Sequence, residues 1–181
     1  MAGYTITEGL AELKTLQKRI AGKREGICRY LAYDSRVRDP LEKEVGGSRG
    51  FIERERQAVT DLEKRVVAIR TAIQRSNLTT TTTINGVTRN VAEWLTWRRE
   101  LSEAAKTWLV RISNTIPQIR QQVQNTNTKL NAAANPPQEA GVAVINIDEA
   151  ALHKELEAME VTLGELDGKL SLLNATTVIE V

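Results

Sequence analysis

Two stretches of this chain place aliphatic side chains at alternating steps of three and four, and that spacing constrains the fold more than any other feature. Ile52, Glu55, Val59, Leu62, Val66, Ile69 and Ile73 form one stripe; Leu152, Leu156, Met159, Leu163, Leu166, Leu170 and Leu173 form the other. Steps of this kind put every position of a stripe on one face of an α-helix, where a narrow apolar seam flanked by charge associates with another helix. Arg54, Arg56, Asp61, Glu63, Lys64, Arg65 and Arg70 give the first seam its mixed-charge flanks. The fold class that follows is mainly α, an antiparallel helical bundle or coiled coil of about four helices. Spacing alone leaves open whether the seams close within one chain or between copies.

The other elements are read from caps, turns and breakers. Thr5-Ile6-Thr7-Glu8 has the form of a capping box, so a first helix starts at Thr5 or Thr7. Its stripe of Ile6, Leu10, Leu13, Ile20, Ile27 and Leu31 is interrupted by Gln17 and Arg24, and Asp39-Pro40 is expected to end it. The glycine-rich residues 40–50 read as a turn between antiparallel helices rather than a phosphate-binding loop, which needs a different spacing and a Lys-Ser/Thr pair. Residues 78–89 predict a β-hairpin at the tip of the bundle, because threonines favour extended backbone and Asn85-Gly86 suits a type I′ turn. Asn90 with Glu93 caps a third helix, lined by Val91, Trp94, Leu95, Leu101, Ala105, Trp108, Leu109, Ile112, Ile116, Ile119 and Val123. Pro117 is expected to kink or divide that helix.

Beyond it, residues 124–141 lose the apolar period and read as a linker or long polar loop. Val142–Ile147 reads as a strand, Asp148 as the cap of the fourth helix, and Thr176–Val181 as a return to extended chain. The two strands are expected to join the hairpin or to add to a neighbour's sheet edge. The domain plan is then 1–123 as a helical bundle with its hairpin, 124–141 as the linker, and 142–181 as a strand-helix-strand segment.

Composition narrows the function classes. Only 4% of the residues are aromatic while 27% are charged, which suits thin helical layers better than a thick core. Cys28 is the only cysteine and His153 the only histidine, so one chain cannot assemble a Cys/His zinc site or a His-based catalytic triad. No catalytic, metal or cofactor residue is assigned, and an enzyme is not expected. Residues 1–100 carry 19 Lys/Arg against 13 Asp/Glu, and residues 101–181 carry 6 against 10. That asymmetry is too mild for a dedicated nucleic-acid binder and reads as self-complementarity. No apolar run reaches the ~18–20 residues of a membrane span, and the N-terminus lacks the apolar stretch of a signal peptide, so synthesis in the cytosol is expected.

Several residues invite sharper readings that lose to plainer ones. Trp94 and Trp108 fall on the apolar side of the third helix and are expected to pack in a core or interface. Trp97-Arg98-Arg99 suggests phosphate or cation–π binding; the plainer reading pairs the arginines with acids on helix one or two. Cys28 is expected to be a buried thiol, and His153 to be solvated. Glu155, Glu157, Glu160, Glu165 and Asp167 are spread around their helix and read as a wet face rather than a cation site. Lys14, Lys18, Arg19, Lys23, Arg24 and Arg29 could serve a nucleic acid, but Glu8, Glu12 and Glu25 dilute the field and no aromatics interleave to stack bases.

Tyr4-Thr5-Ile6-Thr7-Glu8-Gly9-Leu10, Asp39-Pro40-Leu41-Glu42-Lys43-Glu44, Ile84-Asn85-Gly86-Val87-Thr88-Arg89 with Glu93-Trp94-Leu95-Thr96-Trp97-Arg98-Arg99-Glu100, and Leu163-Gly164-Glu165-Leu166-Asp167-Gly168-Lys169-Leu170-Ser171 stand together in this chain. In these motifs it resembles a family of coil-containing structural proteins of tailed bacteriophages and prophages. The resemblance covers most of the chain outside 124–141 and rests on helix and turn signatures. It implies a virion protein of the neck, tail or capsid surface, located in the particle after synthesis in the host cytoplasm. The partners it implies are other copies of the chain and other phage structural proteins. The residues expected to carry association are Ile52, Val59, Leu62, Val66, Ile69, Ile73, Trp94, Trp97, Leu156, Leu163, Leu170, Val178 and Ile179. An assembly chaperone or scaffold absent from the virion, and a DNA-associated packaging protein, are the alternatives.

Overall fold

The computed structural model describes residues 3–34, 36–133 and 142–181. The fold is mainly α, about 75% helical, with two small antiparallel sheets. In chain order the elements are β1 (Gly3–Thr5), α1 (Ile6–Arg29), α2 (Gly47–Thr79), β2 (Thr81–Ile84), β3 (Val87–Asn90) and α3 (Val91–Thr96). A π-helical segment, Trp97–Ser102, leads from α3 into α4 (Glu103–Ala133), and α5 (Glu149–Thr176) and β4 (Val178–Glu180) complete the chain. The division differs from the one expected from sequence. Met1–Thr81 and Lys169–Val181 form one compact unit, and Thr82–Gly168 forms the other, so the boundary falls inside α5.

The first unit is an antiparallel helix pair held by the joined ends of the chain. The capping box forms as expected: Glu8 N–H donates to the Thr5 hydroxyl at 3.2 Å, and Thr5 N–H donates to the Glu8 carboxylate at 2.7 Å. The Thr5 N–H first, and then the Thr5 hydroxyl donating to the same carboxylate at 3.0 Å, hold the Glu8 carboxyl below its ordinary value. Thr5 is also the last residue of β1, which pairs antiparallel with β4: Thr5 faces Val178, Tyr4 faces Ile179 and Gly3 faces Glu180. The pairing continues into the helix start, where Ile6 N–H donates to the Thr177 carbonyl at 3.0 Å. Strand β1 is too short to be legible in sequence, and the C-terminal strand joins it rather than the hairpin.

Strand alternation sends Ile179 inward, at 3% exposure, while Val178 stays 62% exposed. Ile179 packs with Ile6, Leu13, Leu16 and Ile69, and Leu62, Val66 and Ile73 close around that cluster. The seam of α2 is therefore covered by α1 and β4. Gly9 makes room for this contact, since a Cβ there would lie 3.2 Å from Cδ1 of Ile179. The α1 face that turns inward is Ile6, Gly9, Leu13, Leu16 and Ile20; Leu10 and Leu31 of the expected stripe are exposed. Lys23 bonds both Glu55 oxygens, at 2.7 and 3.0 Å, and Arg24 reaches Glu63 at 2.6 Å, fixing the antiparallel register on the rim.

Helix α1 stops at Arg29, ten residues before the expected break at Asp39-Pro40. Tyr30 there meets Phe51 edge-on at 5.2 Å, and beyond it Leu31, Tyr33 and Val37 have no core to cover. Asp39 instead organises the start of α2. Its carboxylate accepts from Leu41 N–H and Ser48 N–H, both at 2.9 Å, and from the Ser48 hydroxyl. Gly47, at φ +57°, is pressed so close that a Cβ would stand 2.6 Å from Asp39 Oδ2. These bonds, the Ser48 hydroxyl foremost, hold the Asp39 carboxyl below its ordinary value.

In the second unit the hairpin forms as expected, with Asn85 and Gly86 at φ 46° and 76°. It is not a protruding tip. Asn85 N–H donates to Glu165 at 2.8 Å and its side-chain amide reaches Thr162 at 3.1 Å, both on α5. Trp94 is buried beside it, its indole N–H donating to the Thr82 carbonyl at 3.1 Å. Asn90 and Glu93 complete the expected capping box of α3. The expected seam of α5 faces inward: Leu152 and Leu166 are buried in this unit with Leu156, Met159 and Leu163 partly so, and past the boundary Leu170 is buried and Leu173 partly so in the first unit. Asp148 caps this helix through Ala150 and Ala151 N–H at 2.9 and 3.1 Å. Ion pairs Arg98–Asp167, Lys106–Glu160 and Arg120–Glu149 run α4 and α5 antiparallel.

Pro117 does not divide α4, which is helical to Ala133 and so includes 124–133 of the expected linker; residues 134–141 lie outside those described. Pro117 sits on the exposed side while neighbouring Ile116 is buried. That burial favours the helix against the ~3 kcal/mol that an interior proline costs.

Two outcomes test this packing. Ile179→Ala should lower unfolding free energy in urea by about 3 kcal/mol, as removal of a buried isoleucine does, whereas Val178→Ala should change it by less than about 0.5 kcal/mol. Asp39 has a depressed folded pKa, so its contribution is complete above the unfolded carboxylate value and fades as pH falls through the folded one. Asp39→Asn should therefore lower the thermal midpoint at pH 6 and flatten its decline between about pH 4 and pH 2, read by circular dichroism.

Candidate interaction surface

The residues expected to carry association lie mostly inside the units. Val59, Ile69, Trp94, Leu170 and Ile179 are buried, and Ile52, Leu62, Val66, Ile73, Trp97, Leu156 and Leu163 are partly buried. Val178 alone among them is exposed. Heptad spacing identifies a face that must be covered without identifying the cover, and here the cover belongs to the same chain. Trp97 stands edge-on to Trp94, with ring centroids 5.7 Å apart, and Arg89 lies 5.0 Å from the Trp94 ring. Arg98 pairs with Asp167 on α5 and Arg99 with its neighbour Glu100, so the acids come from elsewhere than helices one and two. Cys28, expected to be a buried thiol, is exposed one residue before the end of α1.

Part of the exposed apolar surface of the second unit, Leu101 and Trp108, lies on and just after the π-helical segment. A π turn adds one residue to the helical repeat and rotates everything after it. Leu101, which a regular period would turn inward, is 57% exposed, and Ser102 takes the buried position at 4%. The Ser102 hydroxyl donates to the Arg98 carbonyl at 2.7 Å, so the buried hydroxyl is satisfied. Downstream, Ile112 and Ile116 still face inward, but Trp108 is 59% exposed. Of the core or interface placement expected for Trp108, the structure does not show the core one.

Trp108 edges a groove of about 600 Å³ formed with Arg111, Ile112, Thr115, Ile116 and Ile119 on one side and Val144–Ile147 on the other. A second groove, on Glu103, Ala104, Thr107 and Arg111, shares Trp108. The strip Val142–Ile147 is not the expected strand. Its burial alternates residue by residue, as an extended chain's does, but its partner is a helix. Ala143 N–H donates to Asn127 Oδ1 at 2.7 Å, and the Ala143 carbonyl accepts from Asn127 Nδ2 at 3.1 Å. One asparagine amide thereby imitates one rung of a β-ladder. This also explains why the apolar period of α4 fades near residue 124: its inner face meets backbone, which asks for an amide rather than an aliphatic side chain.

Trp with Arg in an apolar hollow is the composition of binding hot spots. The carboxylates of α5 do not converge: Glu160, Glu165 and Asp167 are each engaged with Lys106, Asn85 and Arg98 respectively, and His153 is exposed. Among the described residues no group of three or more metal-ligating side chains comes together, and no helix is long and apolar enough to cross a membrane. Compared with known proteins, the chain matches no family model, no curated protein and no solved structure.

Trp94 and Trp108, two of the three tryptophans of this unit, should separate in variants that carry phenylalanine at Trp97. Trp94→Ala should cost about 3–5 kcal/mol in urea unfolding, and Trp108→Ala less than about 1 kcal/mol. A soluble quencher should reach the fluorescence of Trp108 and spare that of Trp94.

Proposed function

We propose that this chain is a structural component of a tailed-phage virion, acting at the neck, tail or capsid surface by docking to copies of itself and to neighbouring virion proteins. It works by shape and surface rather than by catalysis, with no cofactor. The observation that carries the reading is the place of the resembling motifs in the fold. Thr5 and Glu8 close the first helix cap, Asp39 clamps the start of α2, Asn85 docks the hairpin on α5, and Leu166 and Leu170 are buried. What supports the reading is that the motifs carrying the resemblance form a framework, and a framework of this kind supports function by presenting surfaces. The exposed hollow around Trp108 is such a surface.

The test is mass spectrometry of purified particles from the phage or induced prophage that encodes the chain. The protein should be present in mature virions in multiple copies. Its presence in assembly precursors and absence from mature particles would transfer the function to an assembly chaperone, and absence from both would remove the virion reading altogether.

A further inference from the structure

The tip of the hairpin carries two residues that can react with each other in water. When glycine follows asparagine, its backbone nitrogen reaches the side-chain amide with no Cβ in the way. Asn85 and Gly86 are both exposed, and nothing lies within 4 Å of the place a Cβ on Gly86 would occupy, so the surroundings leave room for that attack. The same asparagine latches the hairpin to α5. Its N–H donates to Glu165 at 2.8 Å, and its side-chain amide donates to the Thr162 hydroxyl at 3.1 Å. The Thr162 oxygen acts there as acceptor, since its own proton goes to the Ala158 carbonyl at 2.7 Å. The latch therefore depends on Asn85 having an NH₂ group to give.

We propose that Asn85 is a site of spontaneous deamidation and that the product unlatches the hairpin from α5. The Gly86 nitrogen bonds to Asn85 Cγ, the Cγ–Nδ2 bond breaks, and the amide leaves as ammonia with the proton of the Gly86 N–H. Water then opens the succinimide. Attack at Cγ gives aspartate; attack at the main-chain carbonyl carbon gives isoaspartate, with the chain rerouted through the former side chain. Water is the one co-reactant, and loss of ammonia makes the change irreversible. Either product replaces the NH₂ donor by a carboxylate. Thr162 can donate to it only by giving up its bond to Ala158, and the Glu165 carboxylate that holds the Asn85 N–H stands beside it as a like charge. Ile84 is fully buried and keeps the strands seated, so the result is a loosened hairpin rather than an unfolded unit. This modification concerns the turn alone and holds wherever the protein acts.

Trypsin releases 76–89 as one peptide, which contains both Asn77-Leu78 and Asn85-Gly86. After the folded protein stands in mildly alkaline buffer, mass spectrometry of that peptide should show the change from amide to acid at Asn85 and not at Asn77, where leucine hinders the attack. Thr162→Val frees the Asn85 amide and should speed the change about threefold. Asn85→Asp, which makes the product directly, should raise hydrogen exchange at the hairpin amides of 82–88 about tenfold over wild type. Glu165→Gln in that background should recover most of the protection. Asn85→Gly keeps the positive φ and adds no charge, so it should raise exchange less than Asn85→Asp does. Asn85 remaining an amide in the folded protein overturns the site. An Asn85→Asp hairpin that exchanges as slowly as wild type, or that Glu165→Gln does not restore, overturns the unlatching.

Discussion

Ile179 seated against Gly9 is the contact on which the first unit depends. It requires β4 to pair with β1, so that strand alternation sends Ile179 inward, and it is made closer by the missing Cβ of Gly9 on the facing turn of α1. Once it is made, the two ends of the chain are joined and the α1–α2 pair has a third layer. A two-helix seam alone covers too little apolar surface to be stable at this length. The capping box at Thr5 belongs to the same arrangement, because one residue ends the strand, caps the helix and faces Val178.

A consequence follows for how such a protein meets others. Heptad helices with charged flanks suggest open coiled-coil surfaces, but the seams of α2 and α5 are spent on the chain's own packing. Among the surfaces left outside are a tryptophan that follows a π-helical segment and an extended strip tied to α4 through Asn127. Both arise where regular structure is interrupted, and such interruptions commonly re-aim side chains toward partners.

Sequence legibility divides along the same line. Thr5-Glu8, Asn85-Gly86, Asn90-Glu93 and Asp148 were readable because a cap or turn is decided by residues within three or four positions. The α5 seam was readable for a similar reason, its period being regular over its whole length. Leu16 in place of Leu10, and Ser102 in place of Leu101, were not. The first depends on where β4 lands on α1, and the second on a π turn that shifts the phase by one residue. The Val142–Ile147 strip had a strand's sequence and lacked a strand's partner, because the partner is one asparagine amide sixteen residues earlier on a helix. None of the residues around Trp108 carries a local signal of exposure. The candidate surface was therefore much less legible than the fold.

The seam of α2 closes within the chain, against α1 and Ile179. Hydrogen–deuterium exchange measured across a range of protein concentrations tests it directly. The amides of Val59–Ile73 and Leu156–Leu170 should exchange equally slowly at every concentration. Loss of protection along Val59–Ile73 on dilution would contradict the account, since it would mean that a second chain, not α1 and Ile179, covers that seam.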